Sequence, residues 1–589
     1  MKRLLILPLL VITFVLSAAP IGEKRAREIA TSFFASTVTR STSPILSLEW
    51  AGDRVGGRNI APLSANNQDE AMLYIYNRTD TKGFVVVAGD DGVERSVVAY
   101  SHDNHLQMDR LSDGAKYILS GWCKQIAAVR KSGVAATRSF GSVDIGTTDK
   151  LYETALWDQG EPFNNEAPMI DGNRAITGCV ATAMSIICYY NRWPERGVGT
   201  TPAYEYADIY DGATHAIPEN ILGRSYDYDN MRSDNYSSGY SAQEAAAVAA
   251  LMKDMGTSVR MGYHYNGSYA YSKDVPMALT QYFGYAKTAR LFYAFSFTDR
   301  EWVEQLKTNI AQYGPTYFSG SNEEGGHAFV LDGYTSANYF HINYGWSGYD
   351  NGFYLIPNIT YAEEQAALFY LEPDKTGTSV YADGLMLLAD TADNGIYYDG
   401  LQSSTTEYRV GEPFQLSYGC IWNIGIAPFS GEVRVALCDK DGNGKEVLCS
   451  HDLALDIYYF MSYNRELTIT TPIESGDRIR LLSKGEQASE WSWIRRYDVR
   501  TVDEIIVSVT AEDIAKSLGV KYDKTTKQLR FISSYNLTYS VADSSSTTKA
   551  SGTMESGVAT VVDMSTWSVG EYVFSFSRDM AEYRLTIKL

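Results

Sequence analysis

Thr177-Gly178-Cys179-Val180-Ala181-Thr182-Ala183-Met184 puts a cysteine at the start of a helix. From Val180, apolar residues recur at Ala183, Met184 and Ile187, the spacing of a half-buried helix. Thr177 or Gly178 can cap that helix, and Pro194 closes the segment. Cys179 then lies in or just before the first turn. There, unpaired backbone N–H groups and the positive dipole end favour a thiolate, the nucleophilic form of sulfur. Standing alone, such a residue would read as a buried structural cysteine. Its meaning depends on what the rest of the chain brings to it.

At 589 residues the chain is too long for one core and predicts several domains. A hydrophobic fraction of 45% with only 16 prolines indicates folded material. The formal charge of −20 argues against nucleic acid or an anionic membrane as partner. Residues 1–19 read as a signal peptide: Lys2 and Arg3 precede an apolar run, and Ser17-Ala18-Ala19 forms a small-residue exit. The run is short for a membrane span and no later segment approaches one, so a secreted or cell-surface protein without a transmembrane segment is expected. The 6 cysteines are too few for a disulfide scaffold. Cys179 and Cys188 would lie on opposite sides of one helix and cannot pair there, whereas Cys438 and Cys449 flank an expected hairpin and can.

Residues 20–145 begin with a helical pattern over 21–35, where Ala26, Ile29, Ala30, Phe33 and Phe34 make an apolar stripe. Strands follow at 72–76 and 83–88, then the turn Gly89-Asp90-Asp91-Gly92, whose aspartates read as turn chemistry. A helix over 114–129 leads into a small, polar linker at 131–139, suited to proteolysis. Residues 146–372 hold the Cys179 helix, helices near 242–255 and 298–312, and a strand at 316–320. A loop at 321–326 then leads to a hairpin of 328–334 and 339–344. Helices first and an antiparallel sheet after them indicate an α+β domain. From 373 on, short strands and Gly, Asp and Asn turns predict two β-sandwich modules, 373–500 and 501–589. Asp439-Lys440-Asp441-Gly442-Asn443-Gly444 starts like a calcium loop but lacks the acidic twelfth position, so it reads as a plain hairpin turn.

A thiol nucleophile needs a base, a group that orients the base, and donors for an oxyanion. Among 7 histidines, His327 follows Gly325-Gly326 at the start of an apolar strand, where its imidazole can open onto a cleft. If the hairpin connection is symmetric, Trp346 lies across from His327 and Asn343 close by. An amide can fix an imidazole tautomer, and an indole can shield that bond from water. His327 stands about 150 residues beyond Cys179, an interval found in papain-like enzymes. Gln159, in Trp157-Asp158-Gln159-Gly160, can join the Cys179 amide in binding an oxyanion.

Four blocks, in order, resemble the streptopain family of secreted bacterial cysteine proteases. They are Trp157-Asp158-Gln159-Gly160-Glu161-Pro162-Phe163-Asn164, Thr177-Gly178-Cys179-Val180-Ala181-Thr182-Ala183, Gly326-His327-Ala328-Phe329-Val330-Leu331-Asp332-Gly333-Tyr334 and His341-Ile342-Asn343-Tyr344-Gly345-Trp346-Ser347-Gly348. Residues 20–130 resemble that family's inhibitory pro-domain, notably at Gly83-Phe84-Val85-Val86-Val87-Ala88-Gly89-Asp90-Asp91. The resemblance implies a papain-like fold and a zymogen whose pro-segment blocks the cleft. By motif position it makes Cys179 the nucleophile, His327 the base and Gln159 the oxyanion donor, with Asn343 or Trp346 holding His327. Tyr344 stands where streptopain has a tryptophan, and Ile186 where an amide residue is expected. Glu323 and Glu324 make the loop before His327 acidic and can favour basic substrates.

The sequence therefore predicts an α+β, papain-like cysteine endopeptidase acting on protein or peptide substrates. An α+β pro-domain precedes the catalytic domain as intramolecular inhibitor, and two β-sandwich modules follow it. No metal or organic cofactor is expected. The β modules can contact a cell surface, and the strand pattern at 537–543, 569–576 and 584–589 is similar to C-terminal secretion and sorting domains. The rival readings are a surface adhesin on a degenerate protease fold and a thiol enzyme that transfers acyl groups to amines.

Overall fold

The computed structural model describes residues 19–37, 43–55, 62–63, 70–132, 143–322, 325–391, 397–406, 408–474, 476–507, 518, 521–532, 537–554, 558–578 and 581–588. Residues 1–18 of the expected signal peptide, most of the expected 131–139 linker, and Glu323 and Glu324 lie outside them. Contacts divide the chain into two units. One comprises residues up to Arg110 with Leu119–Asp144, and the other comprises Leu111–Ile118 with everything from Ile145 onward.

In the first unit, helix Gly22–Thr37 buries Ala26, Ile29, Ala30, Phe33 and Phe34, the stripe its 3.6-residue period lays down. The strands Leu46–Gly52, Leu73–Arg78, Phe84–Ala88 and Val97–Ser101 pair antiparallel in that order. Every residue of Phe84–Ala88 is buried, so both faces of this strand are covered, as its unbroken Val run requires. The turn after it is tied by its own aspartates: Asp90 Oδ1 accepts from the Gly92 N–H at 2.9 Å, and Asp91 Oδ1 from the Ala19 N–H at 2.7 Å. The other Asp90 oxygen is 2.9 Å from Arg130 Nε, and Arg130 also donates to the carbonyls of Glu70, Ala71 and Gly89. The Asp90 side chain is fully buried. Arg130→Ala should therefore lower the stability of this unit by about 3 kcal/mol, because it leaves a buried carboxylate unpaired. Faster amide exchange in strand Phe84–Ala88 would report it, and unchanged exchange would show the pair to be dispensable.

In the second unit, helix Cys179–Asn191 is buried on all sides from Val180 to Cys188. The sequence pattern predicts only a half-buried helix. The difference arises because Ala181, Ser185 and Thr182 are small or internally bonded, so sheet and helices close around them. Helix Ala242–Ser258 packs beside it, started by a Ser241/Glu244 capping box, and Asp299–Tyr313 starts with a Thr298/Glu301 box. The antiparallel sheet runs Gly352–Tyr354, Phe340–Asn343, Gly325–Thr335, Thr316–Asn322, Ala366–Phe369, Arg290–Tyr293, with Thr148–Leu151 paired to the far end of Gly325–Thr335. Of the expected loop at 321–326, the described residues 321, 322, 325 and 326 belong to two paired strands. These strands stay paired as far as Asn322 and Gly325.

Beyond the catalytic region, sheets over 385–506 enclose Leu416, Tyr418, Val433, Val435, Ile479 and Leu481. Strand Glu504–Ile506 pairs with Arg478–Gly485, so this core runs on past 500 to Val507. A second core holds Phe531, Val541 and Phe574. Arg496 links the first of these cores to the helical part: it reaches Glu301 at 2.9 Å and the Ser296 carbonyl at 3.2 Å. In the 439–444 turn, Asp439 Oδ1 accepts from the amides of Asp441 and Asn443, which is hairpin-turn chemistry. Cys438 and Cys449 are both unpaired thiols. Cys438 lies across from Gly444 and Cys449 across from Val435, so the strand register keeps them from pairing. Among the described residues, no helix is long and apolar enough to cross a membrane.

Candidate active site

Gly178 caps helix Cys179–Asn191 with φ 84°, a left-handed conformation that favours glycine. A Cβ there would also strike Met261 Sδ at 2.8 Å. Only glycine lets the chain turn this tightly, and the turn places Cys179 at the first helical residue. The Thr182 hydroxyl bonds the Gly178 carbonyl at 3.0 Å and lies 2.9 Å from the Thr177 hydroxyl, which pins the turn from inside.

The Cys179 sulfur faces the backbone amides of Ala328 and Val180. These favour the thiolate, as a helix start should. Burial outweighs them and pushes the thiol above its ordinary value, and the nearby Asp113 carboxylate adds to the rise. His327 is half-buried and directly precedes Ala328, whose amide faces the Cys179 sulfur, on strand Gly325–Thr335. Burial lowers its pKa, opposed by Asp113 and assisted by Lys116. Both shifts favour the neutral forms, a thiol and an uncharged imidazole, over an ion pair. Alkylation of Cys179 by iodoacetamide in the intact chain should thus be slow near pH 7. It should accelerate about tenfold per pH unit to beyond the usual thiol range. A rate already at its plateau at about pH 6 would show a preformed ion pair instead.

Gln159 is nearly buried, and its carbonyl accepts from the Thr177 N–H at 3.0 Å. The preceding Asp158 was not singled out by sequence reasoning, yet it builds the loop. Its Oδ1 accepts from the Gln159 N–H at 2.6 Å, and its Oδ2 accepts from the Ser347 hydroxyl. The Ser347 N–H returns a bond to the Trp157 carbonyl at 3.0 Å. Trp157 is fully buried against Tyr189 of the Cys179 helix, with ring centroids 4.8 Å apart. The Gln159 loop is thus stapled to the Cys179 turn on one side and to the Trp346-Ser347 turn on the other. An Asp before Gln159 and a Ser after Trp346 were visible signals, but their pairing spans a separation no local pattern reveals.

Asn343 lies across from Val330, the last pair of that register; the strand ends there and Gly345, at φ 65°, turns the chain before Trp346. The Asn343 amide donates to Thr154 Oγ1 and the Ala155 carbonyl, each at 2.8 Å, and its oxygen accepts from the Gly345 N–H at 3.1 Å. Those bonds use both amide hydrogens and one of the two lone pairs on the amide oxygen. Trp346 is half-buried. Tyr344 packs on Phe329 at 5.3 Å and Tyr354 at 5.5 Å, behind the cleft wall. Ile186 is fully buried beside Gly345, which explains why an apolar residue is tolerated there.

The segment Leu111–Ile118 was also missed as part of this site. Tyr117 is buried and donates to the Glu363 carbonyl at 2.8 Å. It occupies the space above Gly320, where a Cβ would come within 2.2 Å of the ring, and Gly320 pairs with His327 across the strands. The Ser112 N–H donates to Asp350 at 2.7 Å. A turn of helix therefore covers the wall that carries His327.

A model of the Peptidase C10 family matches residues 157–354, the stretch that holds Gln159, Cys179, His327, Asn343 and Trp346, and a Spi protease inhibitor model matches 18–126. The chain belongs to the Peptidase C10 family. The thiol protease/hemagglutinin PrtT of Porphyromonas gingivalis is 28% identical over 86% of this chain and 58% of its own length. Streptopain of Streptococcus pyogenes is 28% identical over 56% of this chain and 84% of its own. The structure of active interpain A of Prevotella intermedia is 31% identical, covering 40% of this chain and 95% of that one, with a TM-score of 0.34. This C10 chain thus spans little more than half the length of PrtT. The family carries the papain-like fold, and in this chain a Spi-type inhibitor segment precedes the C10 segment.

Proposed function

We propose that this C10 chain is an exported cysteine endopeptidase, held inactive by its own pro-segment, which hydrolyses protein substrates through an acyl-enzyme. One observation carries the reading: the amide next to His327 points at the Cys179 sulfur, while the Gln159 loop is bonded to the turn that presents that sulfur. Nucleophile, base and oxyanion donor then share one wall. Once the cleft opens to water and substrate, the thiol proton passes to His327 and the thiolate attacks the peptide carbonyl. The Gln159 side chain and the Cys179 N–H receive the oxyanion. His327 then protonates the leaving amine, and water, deprotonated by His327, releases the acid. Trp346, half-buried on the turn after Asn343, is the residue we assign to screening His327 from solvent.

Purified chain incubated with casein should generate new amino termini in proportion to casein lost, and iodoacetamide should stop it. Amine incorporation into casein without new termini would instead indicate acyl transfer. Intact casein, even after an added protease has removed the pro-segment, would leave a binding protein. Inhibition by Tyr117 predicts that Tyr117→Ala raises the rate of self-processing roughly a hundredfold, the effect of removing a buried aromatic anchor. Equal processing rates would place the block elsewhere in the pro-segment. The β modules are proposed to hold the enzyme at a surface.

A further inference from the structure

In the catalytic unit, strands Tyr204–Ala207 and Thr214–Ile217 form a hairpin that carries Asp208, Asp211 and His215. Asp208 is only 4% exposed. Its Oδ1 accepts from the Tyr210 N–H at 2.8 Å, but its Oδ2 is buried with no hydrogen-bond partner, and so is His215 Nε2. These two atoms face each other at 3.6 Å. Asp211, exposed at the turn, brings a carboxylate oxygen within 4.8 Å of a ligand atom of each of these two residues. Buried polar atoms are nearly always paired, so two orphans aimed at one point need a reason.

A salt bridge between the two is the simpler explanation, but a charge-assisted hydrogen bond closes to about 2.7–2.9 Å. The gap fits a cation better. Two ligands held about 2.1 Å from a four-coordinate ion stand roughly 3.4 Å apart. His264 Nε2 also lies 3.9 Å from Asp208 Oδ2. Its Nδ1 accepts from the Asn266 N–H at 2.9 Å, which leaves the proton of a neutral ring on Nε2, so His264 presents no lone pair there. We propose that Asp208, Asp211 and His215 bind a first-row divalent transition cation of the zinc type, with water completing its coordination. One imidazole with two carboxylates selects such an ion over calcium or magnesium.

The site stands on the segment that backs the catalytic turn. Tyr206 donates to the Tyr263 carbonyl, Tyr210 stacks on His264 at 4.3 Å, and Tyr269 donates to the Ala207 carbonyl at 2.9 Å. From there the Ile176 N–H donates to the His264 carbonyl at 3.2 Å, and Ser268 donates to the Ile176 carbonyl at 2.7 Å, three residues before Cys179. A bound ion would clamp the hairpin to this support.

The test uses the full chain carrying Cys179→Ala, so that the thiol cannot capture metal, stripped with chelator and titrated calorimetrically with zinc or calcium chloride. The expected result is a single zinc equivalent and calcium binding at least about a hundredfold weaker. Asp211→Asn and His215→Gln should each weaken zinc at least about tenfold. Both side chains reach solvent, so their loss should leave the fold intact, which circular dichroism checks; Asp208→Asn is a supporting variant. Absence of zinc binding up to millimolar concentration overturns the proposal. So does equal binding by the Asp211→Asn/His215→Gln double variant, and a preference for calcium overturns the assigned ion class.

Discussion

Cys179→Ala in the intact chain is expected to abolish both casein cleavage and release of the pro-segment, a loss of roughly a millionfold in turnover. His327→Ala should lose nearly as much, and the double variant no more than either alone. A nucleophile and its base act as one unit, so removing the second partner takes away nothing that still works. The geometry supports this coupling, because the residue after His327 turns its amide onto the Cys179 sulfur. Mass spectrometry over a timed incubation, with fluorescent casein in parallel, reads both effects. Residual processing by Cys179→Ala at the parent rate would remove Cys179 from the mechanism, and multiplicative losses in the double variant would separate the two side chains.

Gln159→Ala is expected to lower kcat by about 10²–10³ while leaving KM within a few fold, since an oxyanion donor acts mainly in the transition state. Gln159→Glu should be at least as damaging, because a carboxylate repels the developing charge. The loop itself should survive either change: its hydrogen bonds run through the backbone of Gln159 and the side chain of Asp158, not through the Gln159 amide. Asp158→Ala is the informative contrast. It releases the bonds to Gln159 and Ser347 together and should disturb kcat and KM alike. If Gln159→Ala raised KM alone, Gln159 would be a substrate contact and not an oxyanion donor.

The elements of the catalytic region were legible in the chain wherever a local rule governed them. The glycine before Cys179, the helices near 242–255 and 298–312, and the hairpin turn after Thr335 follow from backbone sterics and short-range hydrogen bonding, which neighbouring residues settle among themselves. Motif order also exposed Cys179, His327 and Gln159 as candidates, since each needs a particular functional group at a particular kind of element. The pro-segment residues at the site were not legible. Tyr117 reads as one more apolar position on a helix, and nothing near it in sequence says that Gly320, far along the chain, leaves room for its ring.

The role of Asn343 shows the same limit. Its position across the hairpin is set by strand register, but a bulge between Leu331 and Gly333 and the arrival of Thr154 and Ala155 decide where its amide points. The protonation of the thiol is likewise a tertiary property: a helix start favours thiolate, yet the burial completed by the rest of the fold reverses the balance. The chain by itself determined its elements and its family and marked its candidate reactive groups, because propensities, caps and motifs act over a few residues. Only the tertiary structure decided which side chains pair, which stay orphaned and how each group titrates. Hydrogen bonding and desolvation depend on neighbours that folding brings from distant parts of the chain.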